Sequence, residues 1–141
     1  MTVRLRRIDH VVLTVADLAA TIGFYERVLG MRHVVTGERH ALHFGDCKLN
    51  LHPEVNDYPP LKAAVPTLGS EDICLVADGP MEEIEAHLRA HGVEIETELT
   101  WPKGGRSLYF RDPAGNCLEI GTARIWGIEE VEALGRRVPS S

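Results

Sequence analysis

The sequence predicts an α+β fold: two paired βαβββ modules that curl into a mixed-sheet cleft with their helices outside. Three observations predict it. The chain opens on an alternating strand, Ile8-Asp9-His10-Val11-Val12-Leu13-Thr14-Val15, apolar on both faces. A proline-rich stretch divides the chain near its middle, and the second half repeats the first. The expected organisation is one domain, 1–141, made of modules 6–52 and 71–122, with a linker over 53–70 and a tail over 123–141.

In the opening strand Val11, Leu13 and Val15 point one way, and Ile8, His10, Val12 and Thr14 the other. Asp17 is placed to cap a helix running to Leu29, whose stripe is Leu18, Ile22, Tyr25 and Leu29, broadened by Phe24 and Val28. Gly30 ends it. Strands are expected at 31–35, 40–45 and 47–52, with Gly37-Glu38-Arg39 as the first turn and Gly45-Asp46 as the second. Pro53, Pro59, Pro60 and Pro66 then exclude a helix or central strand from the linker.

The second module opens at Asp72-Ile73-Cys74-Leu75-Val76-Ala77. A helix follows from Pro80 to Ala90, with Met81, Ile84, Leu88 and His91 as its inner stripe and Gly92 as its cap. Strands are expected at 93–98, 106–111 and 116–122, with Asp112-Pro113-Ala114-Gly115 as a structural turn. In the tail, Ile128, Val131 and Leu134 fit a short helix.

The two halves align. His10 falls on Asp72, Asn50 on Glu119, and Ala41-Leu42-His43-Phe44 on Ser107-Leu108-Tyr109-Phe110. Each sheet can bury one face under its own helix. The other faces then line a cleft with His10, Thr14, His43, Lys48, Asn50, His52, Asp72, Cys74, Tyr109, Cys117 and Glu119 among apolar neighbours. Polar groups converging on an apolar wall mark a ligand pocket.

Composition narrows the function. Net charge is −6, with 44% apolar and 26% charged residues, which fits an ordinary globular domain and speaks against nucleic acid as a partner. Arg4, Arg6 and Arg7 form a short basic cluster best read as solvated. No apolar run reaches the roughly 18 residues of a membrane helix, and no signal-peptide pattern is present, so a cytoplasmic protein is expected. Cys47, Cys74 and Cys117 lack a CxxC pair and fit reduced thiols. His87 and His91, one helical turn apart, are either a surface metal pair or exposed histidines. Apolar tail residues Ile125, Trp126, Ile128 and Val131 suit a homodimer contact.

The opening I-D-H-V-V-L-T-V, the helix end F-Y-E-R-V-L-G-M and the closing L-Y-F-R-D-P-A-G-N-C-L-E-I together resemble the vicinal oxygen chelate superfamily over about residues 6–122. That superfamily includes glyoxalase I, type I extradiol dioxygenases, fosfomycin and bleomycin resistance proteins, and methylmalonyl-CoA epimerase. F-G-D-C-K-L-N-L-H-P, with P-T-L-G-S-E-D-I-C-L-V after it, is similar to a glyoxalase-domain-containing, virulence-associated branch. The resemblance implies one divalent metal held from the first and last strands of each module. It carries a histidine ligand to His10 and a glutamate ligand to Glu119. Asp72 stands where the second module commonly has a histidine, and Asn50 where the first commonly has an acid or amide. His52 shares Asn50's face.

Two imidazoles and a carboxylate suit Zn, Ni, Fe(II), Co or Mn. The expected metal set is His10, His52 and Glu119, with Asn50 and Asp72 as alternative third ligands. Glu119 and Asp72 are the candidate catalytic acids and bases. His43, Asn50 and Tyr109 are the candidate substrate-binding groups. Three functions compete. The first is a glyoxalase-type lyase or isomerase, chelating a small substrate through vicinal oxygens while a carboxylate moves the proton, with Lys48, Lys103 and Arg106 as cations for a glutathione thioester. The second is an Fe(II) extradiol-type dioxygenase. The third is a non-catalytic protein that binds a drug or metabolite.

Overall fold

The computed structural model describes residues 2–54, 61–102 and 104–123. The element order is β1 (His10–Val15), α1 (Leu18–Leu29), β2 (Arg32–Thr36), β3 (Arg39–Phe44), β4 (Cys47–Pro53), β5 (Asp72–Val76), α2 (Met81–Ala90), β6 (Thr97–Thr100), β7 (Arg106–Arg111) and β8 (Cys117–Gly121). They build two four-stranded sheets, ordered β1-β4-β3-β2 and β5-β8-β7-β6. β1 runs parallel to β4 and β5 parallel to β8, while the other neighbours are antiparallel. This is the α+β architecture expected. The expected tail helix and its apolar residues lie outside the described residues.

Two compact units result, one reaching to Glu71 and including Pro113–Gly115, the other comprising Asp72–Asp112 and the chain from Asn116. In the first, α1 packs on β2 and β3. Asp17 caps it by accepting from Ala20 N at 2.9 Å, and Gly30 ends it at φ 63°, a left-handed turn that costs glycine little. The helix buries Thr21, Tyr25 and Val28, while Leu18, Ile22 and Leu29 are half-buried. The inner stripe is therefore rotated from the expected one. Thr21 can go inside because its hydroxyl donates to Asp17 O at 2.8 Å. Leu13, Val15, Leu42, Leu49 and Leu51 complete this core.

In the second unit α2 packs on β7, burying Met81 and Leu88 against a core of Leu108, Phe110, Leu118 and Ile120. His91 is exposed, outside the expected stripe. β6 begins at Thr97, later than expected, because Val93 N still closes on Leu88 O at 3.0 Å and pairing with β7 starts at Thr97. The Asp112–Asn116 turn is tied by Asn116 N to Asp112 Oδ1 at 2.9 Å and Asn116 Nδ2 to Asp112 Oδ2 at 2.8 Å, with both residues buried.

The third strands do not align as the sequence repeat suggests. Ala41 lies beside Asn50 and Tyr109 beside Glu119, so Tyr109 matches Ala41 and His43 matches Arg111. The sequence alignment makes the second turn three residues longer than the first, but it is only one longer: Phe44 pairs with Cys47 across Gly45-Asp46, whereas Asp112 N meets Asn116 O at 3.2 Å across Pro113-Ala114-Gly115. A slip of two keeps the face and changes the neighbour.

Candidate functional site

The first sheet sets its polar candidates in rows. His10 lies beside Lys48, Val12 beside Asn50, and Thr14 beside His52. β3 and β2 extend two of these rows, through His43 beside Lys48 and through Ala41 and Val34 beside Asn50. Leu42, Leu49 and Leu51 occupy the opposite, buried face, so alternation leaves this one open to a ligand. It walls a cavity of about 480 Å³. Val12, Val34 and Ala41 give the cavity apolar surface; His10, His43, Asn50 and His52 bring polar groups to it. Arg39 and Lys48 add two cations.

The His10 side chain is 42% exposed, and its Nδ1 lies 2.9 Å from Asp9 Oδ2. That bond is the main reason the Asp9 carboxyl sits below its usual pKa, with Lys48 and Arg7 adding to it. A proton held on Nδ1 by a carboxylate leaves the Nε2 lone pair available, the orientation found behind histidine metal ligands. His52 is half-buried at the end of β4. Burial first, then the charges of Arg39 and His10, push its pKa down and favour the neutral ring. His52 lies four residues beyond Lys48 along β4, about 13 Å at strand rise, whereas Asn50 lies about half as far.

The second sheet is organised on Glu119. The residue is 8% exposed, with Cys74 of β5 on one side and Tyr109 of β7 on the other. Its Oε1 is buried and has no hydrogen-bond partner. A carboxylate oxygen in that state is costly unless something meets it. Burial, with a hydrogen bond to Glu119 behind it, pushes the Tyr109 phenol up and keeps it protonated. Cys74 is exposed as a residue, yet partial burial of its thiol pushes it up to about 12, with the Glu119 charge adding to it. Cys74 is thus a poor nucleophile. Asp72 is exposed at the start of β5 beside Cys117.

Among the described residues no three His, Cys, Asp or Glu side chains gather into a metal-holding group. His10, His52, Asn50 and His43 belong to one unit and Glu119, Asp72 and Tyr109 to the other. The donors fit a divalent cation by their own state: an oriented imidazole and a buried carboxylate oxygen without a partner. The His91 imidazole instead bonds its Nδ1 to His87 O at 2.8 Å, within one helix surface.

Arg39, which the sequence places in a turn, belongs to a strand. It opens β3 beside Thr36, on the face of Ala41 and His43. Starting the strand alternation one residue earlier would have found it. Arg106, expected as a substrate cation, is committed to Glu85 at 2.6 Å and Glu98 at 2.9 Å. Lys103 lies outside the described residues.

A family model described as Glyoxalase/Bleomycin resistance protein/Dioxygenase superfamily matches residues 7–120. The virulence protein STM3117 of Salmonella typhimurium is 43% identical over 119 residues, covering 81% of this chain and 82% of that protein. An integron cassette protein from the mobile metagenome of V. cholerae superposes with TM-score 0.79 at 40% identity, over 86% of this chain and 98% of its own. A lactoylglutathione lyase from Agrobacterium tumefaciens superposes with TM-score 0.72 at 29% identity, over 86% and 96%.

Proposed function

Because the chain belongs to the glyoxalase/bleomycin resistance protein/dioxygenase superfamily, we propose that it is a metal-dependent enzyme of glyoxalase type. It would act as a lyase or isomerase on a small substrate chelated through vicinal oxygens. The observation that carries this reading is the buried Glu119 Oε1 without a partner. His10 and Glu119 would hold the metal (Zn, Ni, Fe, Mn or Co), with His52, Asn50 or Asp72 as third donor. A bound divalent cation supplies Lewis-acid polarisation of two neighbouring substrate oxygens.

The remaining roles belong to this chain's own groups. Glu119 accepts and returns the substrate proton, with Asp72 as the second acid. Tyr109, kept protonated, donates a hydrogen bond beside Glu119. Asn50 and His43 offer polar contacts from the cavity wall, and Val12, Val34 and Ala41 give it an apolar surface. The same proposal takes modules 6–52 and 71–122 as one domain, in a cytoplasmic homodimer that serves a small molecule.

The test is S-lactoylglutathione formation from methylglyoxal and glutathione by protein reconstituted with each metal. Turnover that disappears in Glu119→Gln supports the reading. Full metal loading without turnover on any vicinal dicarbonyl adduct overturns it. One observation favours a second reading, a metal-free binding protein: Asp72, where the resemblance places a histidine ligand, is exposed. Ligand affinity that is unchanged by a chelator would establish that reading.

A further inference from the structure

The first unit's cavity contradicts the charge of its own chain. The protein carries 21 acidic against 15 basic residues, a net charge of −6. Yet, among the described residues, the cavity on the first sheet is lined by two permanent cations, Arg39 and Lys48, by the imidazoles of His10, His40, His43 and His52, and by no carboxylate. A low-dielectric recess walled by one sign of charge concentrates ligands of the other sign.

Arg39 carries the argument furthest. Other arginines against this fold are held by glutamates: Arg106 by Glu85 and Glu98, Arg111 by Glu96, Arg89 by Glu85. Among the described residues Arg39 has no such carboxylate. It lines the cavity from the start of β3, on the face of Ala41 and His43. Lys48 stands two rows away beside His10 and His43, loosely shared with Asp9 at 3.8 Å. Between the two cations lie the apolar Val12 and Ala41 and the Asn50 amide. A guanidinium presents a planar fork that matches a carboxylate or phosphonate in two parallel hydrogen bonds. A volume of about 480 Å³ admits a small molecule.

We infer that this cavity selects small anionic substrates, with the carboxylate or phosphonate group on Arg39 and the neighbouring oxygens directed toward Asn50, in the row between Arg39 and Lys48. The inference rests on the proposed function for the cavity being the substrate's place, and not for the metal. Arg39 is thus a specificity-determining residue.

The experiment is a titration, followed by amide chemical shifts, of the full chain in EDTA with three probes: lactate, methylphosphonate and propane-1,2-diol. The diol keeps vicinal oxygens and lacks the charge. Lactate or methylphosphonate should bind about tenfold or more tightly than the diol, and Arg39→Gln should remove that advantage. Arg39→Lys should recover only part of it, since an ammonium lacks the fork. The tighter of the two anions identifies the carboxylate or the phosphonate class. Thermal unfolding of each variant confirms that the fold is kept. Equal affinity for lactate and diol, failure of both anions to bind, or affinity untouched in Arg39→Gln would overturn the inference. Repeating the titration on zinc-loaded protein separates the two readings. Anions that bind only there, and independently of Arg39, are held by the metal and overturn the clamp. Arg39-dependent binding in a protein that takes up no metal keeps the clamp and sinks the metal enzyme.

Discussion

Asn50 and Glu119 hold the same register position in their two sheets: each lies beside the third residue of its sheet's first strand, Val12 and Cys74. His10 and Asp72, which open those strands, are likewise equivalent. The two units thus repeat a diagonal pair, His10 with Asn50 and Asp72 with Glu119. Only the second pair is carboxylic, and only its Glu119 is deeply buried.

The contact between Cys74 and Glu119 is open to a chemical test. A thiol ionising near 12 rather than 9.0 carries about a thousandth of the usual thiolate at neutral pH. Iodoacetamide should therefore modify Cys74 far more slowly than free glutathione. Glu119→Gln removes the neighbouring charge, lowers the thiol pKa and should speed the reaction by about tenfold. Peptide-resolved mass spectrometry in EDTA reads the rate, and an unchanged rate in the variant would remove Glu119 from Cys74's surroundings.

His52 predicts a pH dependence of stability. Its folded pKa lies below 6.5, so the unfolded chain binds more protons between the two values. Its contribution is complete above about pH 6.5 and is lost as pH falls through the folded value. Denaturant midpoints of metal-free protein should drop between about pH 7.5 and about pH 5.5, and drop less in His52→Gln. Identical drops would argue against a depressed His52.

Gly69 adopts φ 67°, and a Cβ placed there would meet Ala114 O at 2.6 Å. Strain and clash act together, and a backbone oxygen cannot swing aside. Gly69→Ala should cost about 1–3 kcal/mol or more, visible as a lower midpoint in urea. A neutral substitution would mean that residues 113–115 do not pack on this loop.

Asn116 satisfies Asp112 with both its backbone and side-chain nitrogens while only 1% exposed. Asn116→Ala should destabilise by about 1–3 kcal/mol through the stranded acid. Asn116→Asp should be worse, because two carboxylates would meet in a buried turn. Equilibrium unfolding ranks the three proteins.

Alternation made much of this legible in the sequence. A period of two places His10, Asn50 and Glu119 on the faces where the structure has them, because the apolar neighbours Leu13, Leu49, Leu51, Leu118 and Ile120 claim the opposite faces. Position along a strand was not legible. Matching His43 to Tyr109 requires the second turn to be three residues longer than the first, and it is only one longer, so Tyr109 falls on Ala41; nothing in the local pattern reports this. Arg39 was hidden for a related reason, since Gly37 and Glu38 alone make the turn. Thr21 was hidden because a hydroxyl bonded to its own helix buries like an apolar group.

The central claim is that His10 and Glu119 hold a divalent metal. The most direct measurement is elemental analysis of protein purified without chelator and after reconstitution with Zn, Ni, Mn, Co and Fe(II), beside His10→Ala and Glu119→Gln. The account predicts stoichiometric metal in the wild type and a large loss in each variant, with His52→Ala, Asn50→Ala and Asp72→Ala separating the three candidates for third donor. A wild type that takes up no metal, or variants that load as it does, would contradict the claim.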